Sequence, residues 1–304
     1  MKILSNIIDK QKIEAYCNGL IDILIVGNRE YSSRHQVDFS FEEIKAWKQR
    51  LPKEKKLFVL MNQLYDQSKL EMLEKTLLAL DSCRIDGIIF QDFAILQLIK
   101  ELQLSFRLFY DSLTLNTNAA TLSYLSSLGI EAFFLSREIS VEDIEEIAKE
   151  MSKQSVVQID GLRYIAQSKR PLLSNYFNAL EMDRDPRTIY SIQPANSTIV
   201  DYIFEDDYGC HIVSKQRLLS YDIFERLLDS HIEYGYINGL FMSYQQQNEI
   251  VESYQQLIKL YLTDDYQRYL SSLGKQDGDY GFYYDTTVYK LEDVRKRDAN
   301  ERDK

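Results

Sequence analysis

Cysteine is scarce in this chain. Cys17, Cys83 and Cys210 are its only three, and no two of them have the spacing of a metal-binding pair. That argues against a disulfide frame or a thiolate zinc site and fits buried thiols in a reducing compartment. Histidine is equally rare, at His35, His211 and His231. None stands beside a serine or cysteine in a nucleophile-elbow pattern, and no His-Glu-x-x-His run occurs, so serine, cysteine and zinc peptidase chemistry lack local parts. A triad assembled from distant positions stays open. With only 11 Gly and 4 Pro, and no stretch rich in both, no flexible linker marks a boundary. One domain is expected. No apolar run reaches the roughly 18 residues that span a bilayer, and the start, MKILSNIIDKQKIE, breaks into charges too early for a signal peptide. A cytoplasmic chain without a membrane segment is expected. Excess basic charge is missing too. A formal net charge of −11 argues against unaided nucleic-acid binding and leaves binding through a partner open.

What is present is an alternation. Apolar runs at Ile23–Gly27, Leu57–Met61, Gly87–Gln91, Arg107–Asp111, Ala132–Leu135, Val156–Ile159, Thr188–Ile192 and Tyr234–Ile237 read as strands covered on both faces. Between them, stretches such as Ser68–Leu80, Ala94–Leu102, Asn118–Leu128 and Val141–Ser152 carry apolar residues at helical steps. Ser40 and Ser140 each precede acidic first turns, as N-caps do. The β-then-α order implies right-handed parallel crossovers, and about eight strands favour a TIM-barrel-like (β/α) barrel, although periodicity alone also fits a doubly wound sheet. Asp201–Ser214 reads as a β-hairpin around Tyr208-Gly209, inserted in the barrel. Residues 1–245 are expected to form the barrel domain. Residues 246–304 add a long Tyr-rich helix over Gln245–Ser272, a short extended segment and a charged tail beyond about Lys290.

One stretch is more specific than the rest: VVQIDGLRYIAQSKRPLLSNY, Val156–Tyr176, reads as a strand, a Gly turn and a Ser-Lys-Arg-Pro loop. It resembles the signature of the collagenase-like peptidase family U32, with Asp160-Gly161 at a His-Gly pair, Ser168-Lys169-Arg170 at a Ser-Gly-Arg and Leu172-Leu173-Ser174 closing it. The resemblance continues in order through Gln91-Asp92, Asp111–Asn118, Gly129, Ser136-Arg137-Glu138, the hairpin, Ile237-Asn238-Gly239, Gly281-Phe282 and Thr286-Thr287. It implies that relatives hold an iron–sulfur cluster on four cysteines. Here Tyr164 and Pro171 stand at the first two positions, and the later two fall near Thr188 and Leu218. No such cofactor is expected in this chain, and a cluster is expected in a partner. The resemblance to short tRNA-hydroxylation members implies an accessory subunit in 5-hydroxyuridine formation at the tRNA wobble position. It would act with a longer cluster-bearing paralogue and reach tRNA through that complex. A peptidase, or a barrel enzyme acting on a small ligand, is the alternative.

Strand C-terminal ends line the active face of a barrel, which nominates Asn62, Gln91, Asp92, Asp111, Asn116, Arg137, Glu138 and Asp160 as one polar pocket. Strand-end Asp and Asn also cap helices and close loops, an alternative use for the same residues. Arg163, Lys169 and Arg170 are candidate phosphate contacts at its rim, or else a solvated basic loop. Tyr244, Tyr254, Tyr261, Tyr266 and Tyr269 suit base stacking or, better, aromatic packing in a subunit interface.

Overall fold

The strands that build the barrel are short and almost wholly buried, because one face meets the barrel interior and the other meets a layer of helices. A computed structural model describes residues 1–186, 188–195 and 199–285. Its strands are β1 (Lys2–Asn6), β2 (Ile23–Val26), β3 (Lys56–Met61), β4 (Gly87–Phe90), β5 (Arg107–Asp111), β6 (Ala132–Phe134) and β7 (Ser155–Ser168). An insertion follows with β8 (Tyr190–Ile192), β9 (Asp201–Asp206) and β10 (Gly209–Leu219), and then β11 (Tyr234–Asn238). β1 to β7 pair in sequence order, and β11 pairs in parallel with both β1 and β7, closing an eight-stranded parallel barrel. Strand pairing thus settles the choice between barrel and open sheet in favour of the TIM-like barrel.

Inward-facing Leu4, Ile25, Phe58, Leu60, Ile89, Phe109, Phe134, Val156 and Tyr236 fill the interior. The alternate residues pack outward against helices such as Leu70–Ser82, Phe93–Glu101, Val141–Met151 and Tyr244–Leu260. The expected caps are present. Ser40 Oγ accepts from the Glu43 N–H while the Glu43 carboxylate accepts from the Ser40 N–H, and Ser140 Oγ accepts from the Asp143 N–H.

Three sequence expectations are corrected. The run Thr188–Ile192 is not a barrel strand: β8 lies at the outer edge of the insertion, where Ile189 and Ile192 are exposed, and the missing stave is β1. The long helix is two, Tyr244–Leu260 and Asp265–Ser272, separated by a turn in which Leu262 adopts a positive φ of 64°. Within them Tyr254 and Tyr266 are buried against the barrel's outer layer and cannot offer a face to a base. The anticipated hairpin is present as β9 and β10, extending antiparallel from β7. Thr286-Thr287 and the charged tail lie outside the described residues.

Candidate functional site at the barrel mouth

The C-terminal ends of the staves enclose a cavity of about 40 Å³, floored by Ile25, Leu60, Ile89 and Phe134 and ringed by polar groups. From β5 and the segment after β6, Asp111 and Arg137 meet as a bidentate pair, each guanidinium NH lying 3.0 Å from a carboxylate oxygen. Gln158 of β7 accepts from Arg137 Nε at 2.8 Å, and the Leu113 N–H donates to Asp111 at 3.0 Å. Burial pushes the Asp111 carboxyl up, but the guanidinium outweighs it and leaves the group below the ordinary carboxylate range. Burial likewise pushes the Tyr236 phenol upward, and its hydroxyl donates to Asn6 Oδ1 at 2.8 Å.

A second guanidinium enters from the loop after β2. Arg34, held at a positive φ of 55°, donates to Gln167 Oε1 at 2.9 Å, and more distantly to the Asn62 carbonyl and Gln91 Oε1, both at 3.4 Å. Its head lies over the Tyr164 ring at 5.0 Å. Burial lowers its proton affinity. Arg34, Gln158, Tyr164, Tyr236 and Asn238 all line the cavity, and none was nominated from sequence. Arg34 falls in a polar loop where only the rule that βα loops surround a barrel mouth could have singled it out.

Of the nominated residues, Asn62, Asp111 and Arg137 line the cavity, and Gln91 reaches its edge through Arg34. Asp92 instead caps the helix Phe93–Glu101 by accepting from Ala94 N–H, and it also holds the Tyr65 N–H. Asn116 is buried and donates to the Tyr110 and Phe134 carbonyls, closing a loop. Glu138 is exposed. Asp160 faces away from the cavity. Register slips between its neighbours on β7 and β11, with Gln158 opposite Tyr236 but Asp160 opposite Ile237, and this bulge turns Asp160 to the outer face. There it lies 3.0 Å from Arg217, and burial, only partly opposed by Arg217, pushes its carboxyl up to about 7. The three basic candidates do not form one cluster. Arg163 is tied to Asp279 at 2.9 Å and Lys169 to Asp66 at 2.5 Å, while Arg170 is exposed.

The hairpin and the extension of β7 cover part of the mouth. His211, fully buried on β10 opposite Gln167, lies 3.0 Å from Asp206, and Tyr208 at the tip donates to the Glu30 carbonyl. A hydrolytic triad is not assembled near His35. Its Nε2 meets Asp38 at 2.7 Å, but the nearby Ser32 hydroxyl donates to the Leu60 carbonyl instead. Nor do the thiols fit an iron–sulfur cluster. Cys17 and Cys83 donate to the Arg50 and Phe41 carbonyls, and Cys210 packs with Leu173 and Ile203. Among the described residues no group of three or more His, Cys, Asp or Glu is placed to hold a metal ion, and no helix is long and apolar enough to cross a membrane.

The model of peptidase family U32 matches residues 9–291. The chain is 26% identical to tRNA hydroxylation protein P2 of Bacillus subtilis (strain 168) over 282 residues, covering 87% of this chain and 91% of that protein. It is 22% identical to tRNA hydroxylation protein P1 of the same organism, covering 84% of this chain and 62% of that protein. It is 30% identical to tRNA hydroxylation protein P of Escherichia coli (strain K12) over 136 residues, covering 43% of this chain and 28% of that protein. Among solved structures, a thiamine phosphate pyrophosphorylase from Pyrococcus furiosus aligns at a TM-score of 0.47 and 10% identity, over 86% of this chain and 96% of that one.

Proposed function

The chain belongs to peptidase family U32, and on that premise we propose that it acts in tRNA hydroxylation as a cluster-free subunit beside a longer family member, in forming 5-hydroxyuridine at the wobble position. The observation that carries this reading is the match to tRNA hydroxylation protein P2 along 91% of that protein's length. The same organism also holds a relative, P1, of which this chain spans only 62%, which suits a pair of unequal members. The thiols of this chain are buried on separate elements, so the redox centre would reside in the partner. tRNA would be held by the complex, since the chain carries a net charge of −11 and two of its three candidate phosphate contacts are already ion-paired.

Such a partner would dock on the insertion. Leu172, Tyr176, Leu180, Met182, Ile189 and Ile192 are large, apolar and exposed there, and among the described residues β8 pairs on one side only, with β9. Co-expression with the longer family member of the same genome tests the reading. The expected result is one co-eluting complex with iron that follows the longer chain and is absent when this chain is purified alone. Two separate species, or iron bound stoichiometrically by this chain, would refute it.

A further inference from the structure

The barrel mouth holds two guanidinium groups, and only one of them is neutralised. Arg137 is matched by Asp111 in bidentate geometry. Arg34 has no carboxylate within ion-pair distance among the described residues, and its acceptors are the uncharged Gln167, Asn62 and Gln91. The two carboxylates near enough to influence it are Asp111 and Asp206. Arg137 occupies the first, and the His211 ring lies 3.0 Å from the second. Arg34 is half-buried, and drawing a cation part-way out of water without a counter-charge is costly, so an anion entering the mouth would gain a charge that nothing else there matches. Arg34 is also held in a left-handed backbone conformation that a residue other than Gly rarely adopts, a cost that accumulates at ligand sites.

We propose that the barrel mouth is a binding site for the anionic end of a small molecule, a single carboxylate or phosphate group, received by Arg34 with Asn62, Tyr236 and Asn238 around it and the apolar floor of Ile25, Leu60 and Ile89 beneath. The size of the space sets the class of ligand. The cavity is small, about 40 Å³, and suits one compact group, so the remainder of the molecule extends outward past Tyr164 and the hairpin. Arg137 is a positioning residue: fixed by Asp111 and Gln158, it shapes the wall and leaves Arg34 as the free charge. The site stands whether or not tRNA hydroxylation is the reaction, because its lining belongs entirely to this chain.

The test uses the full chain alone, with inorganic phosphate and acetate as probes and chloride at matched ionic strength as the control. Melting temperature and hydrogen exchange in residues 28–38 and 204–212 are read together. Saturable stabilisation with protection of both segments is expected from phosphate, acetate or both, and the effective probe identifies the group. Arg34→Gln should weaken binding by about tenfold or more, and Arg34→Lys should restore part of it. Without ligand, Arg34→Gln should melt no lower than the parent, because the unmatched charge is gone. Neither probe acting at tens of millimolar, or protection confined to other segments, overturns the proposal. Equal binding by parent and Arg34→Gln overturns it as well. If Arg34→Gln does not fold, Arg34 is a structural residue of the loop, and the protection pattern of the parent decides whether the mouth binds the anion.

Discussion

Inside the barrel mouth, Asp111 meets Arg137 through two contacts of 3.0 Å; on the outer face of β7, Asp160 meets Arg217 through one contact of 3.0 Å. Both carboxylates are buried, yet burial prevails at Asp160, pushing it to about 7, while the guanidinium prevails at Asp111, holding it below the ordinary carboxylate range. The difference is one of geometry. Asp111 has a parallel, two-point partner and a backbone N–H from Leu113, whereas the Arg217 Nε approaches Asp160 without hydrogen-bond alignment. Opposite charge nearby does not by itself keep a buried carboxylate ionised.

The largest effect should come from separating the well-made pair. Asp111→Ala leaves Arg137 buried without its counter-charge and should lower unfolding free energy by about 3–5 kcal/mol, read from denaturant melts. Acidification should do the same by another route, since the stabilisation from Asp111 is present above the ordinary carboxylate range and is lost as pH falls through its depressed folded value.

Asp160 should show the opposite sign. Its folded value of about 7 exceeds the unfolded one, so the folded state holds the extra proton and stability falls by up to about 4 kcal/mol as pH rises from about 4 to about 7. Asp160→Asn should therefore stabilise the protein at pH 8 and change little near pH 4, as paired thermal melts would show. Gly161 comes next. It sits at φ +99° where β7 leaves the barrel, and a Cβ there would strike the Asn238 carbonyl, so Gly161→Ala should destabilise by about 2 kcal/mol. The smallest effect is expected from Tyr254→Phe, beside Asp160. It removes a 2.9 Å hydrogen bond to the Ile159 carbonyl and should cost about 1 kcal/mol in the same melts.

These contrasts also mark how far the sequence could be read. Seven of the eight staves follow from apolar runs, because a strand buried on both faces must be apolar throughout. β1 escapes that rule, since KILSN carries a charge and two polar residues within five positions. Tyr190–Ile192 mimics a stave because composition does not report which sheet edge a strand will occupy. At the site, Asn62, Asp111 and Arg137 were found by their place at strand ends. Asp160 shares that place, but a one-residue bulge in β7 reverses its direction, and the one sequence signal for it is Gly161 next door, at a positive φ. Arg34 carries no motif, and what sets it apart is the lack of a paired carboxylate among the described residues.

The most direct measurement is mass spectrometry of tRNA nucleosides from cells lacking this gene, beside the parent and a complemented strain. Loss of 5-hydroxyuridine and its derivatives, restored by complementation, is the predicted result. Unchanged nucleosides in the cells lacking this gene would contradict the account.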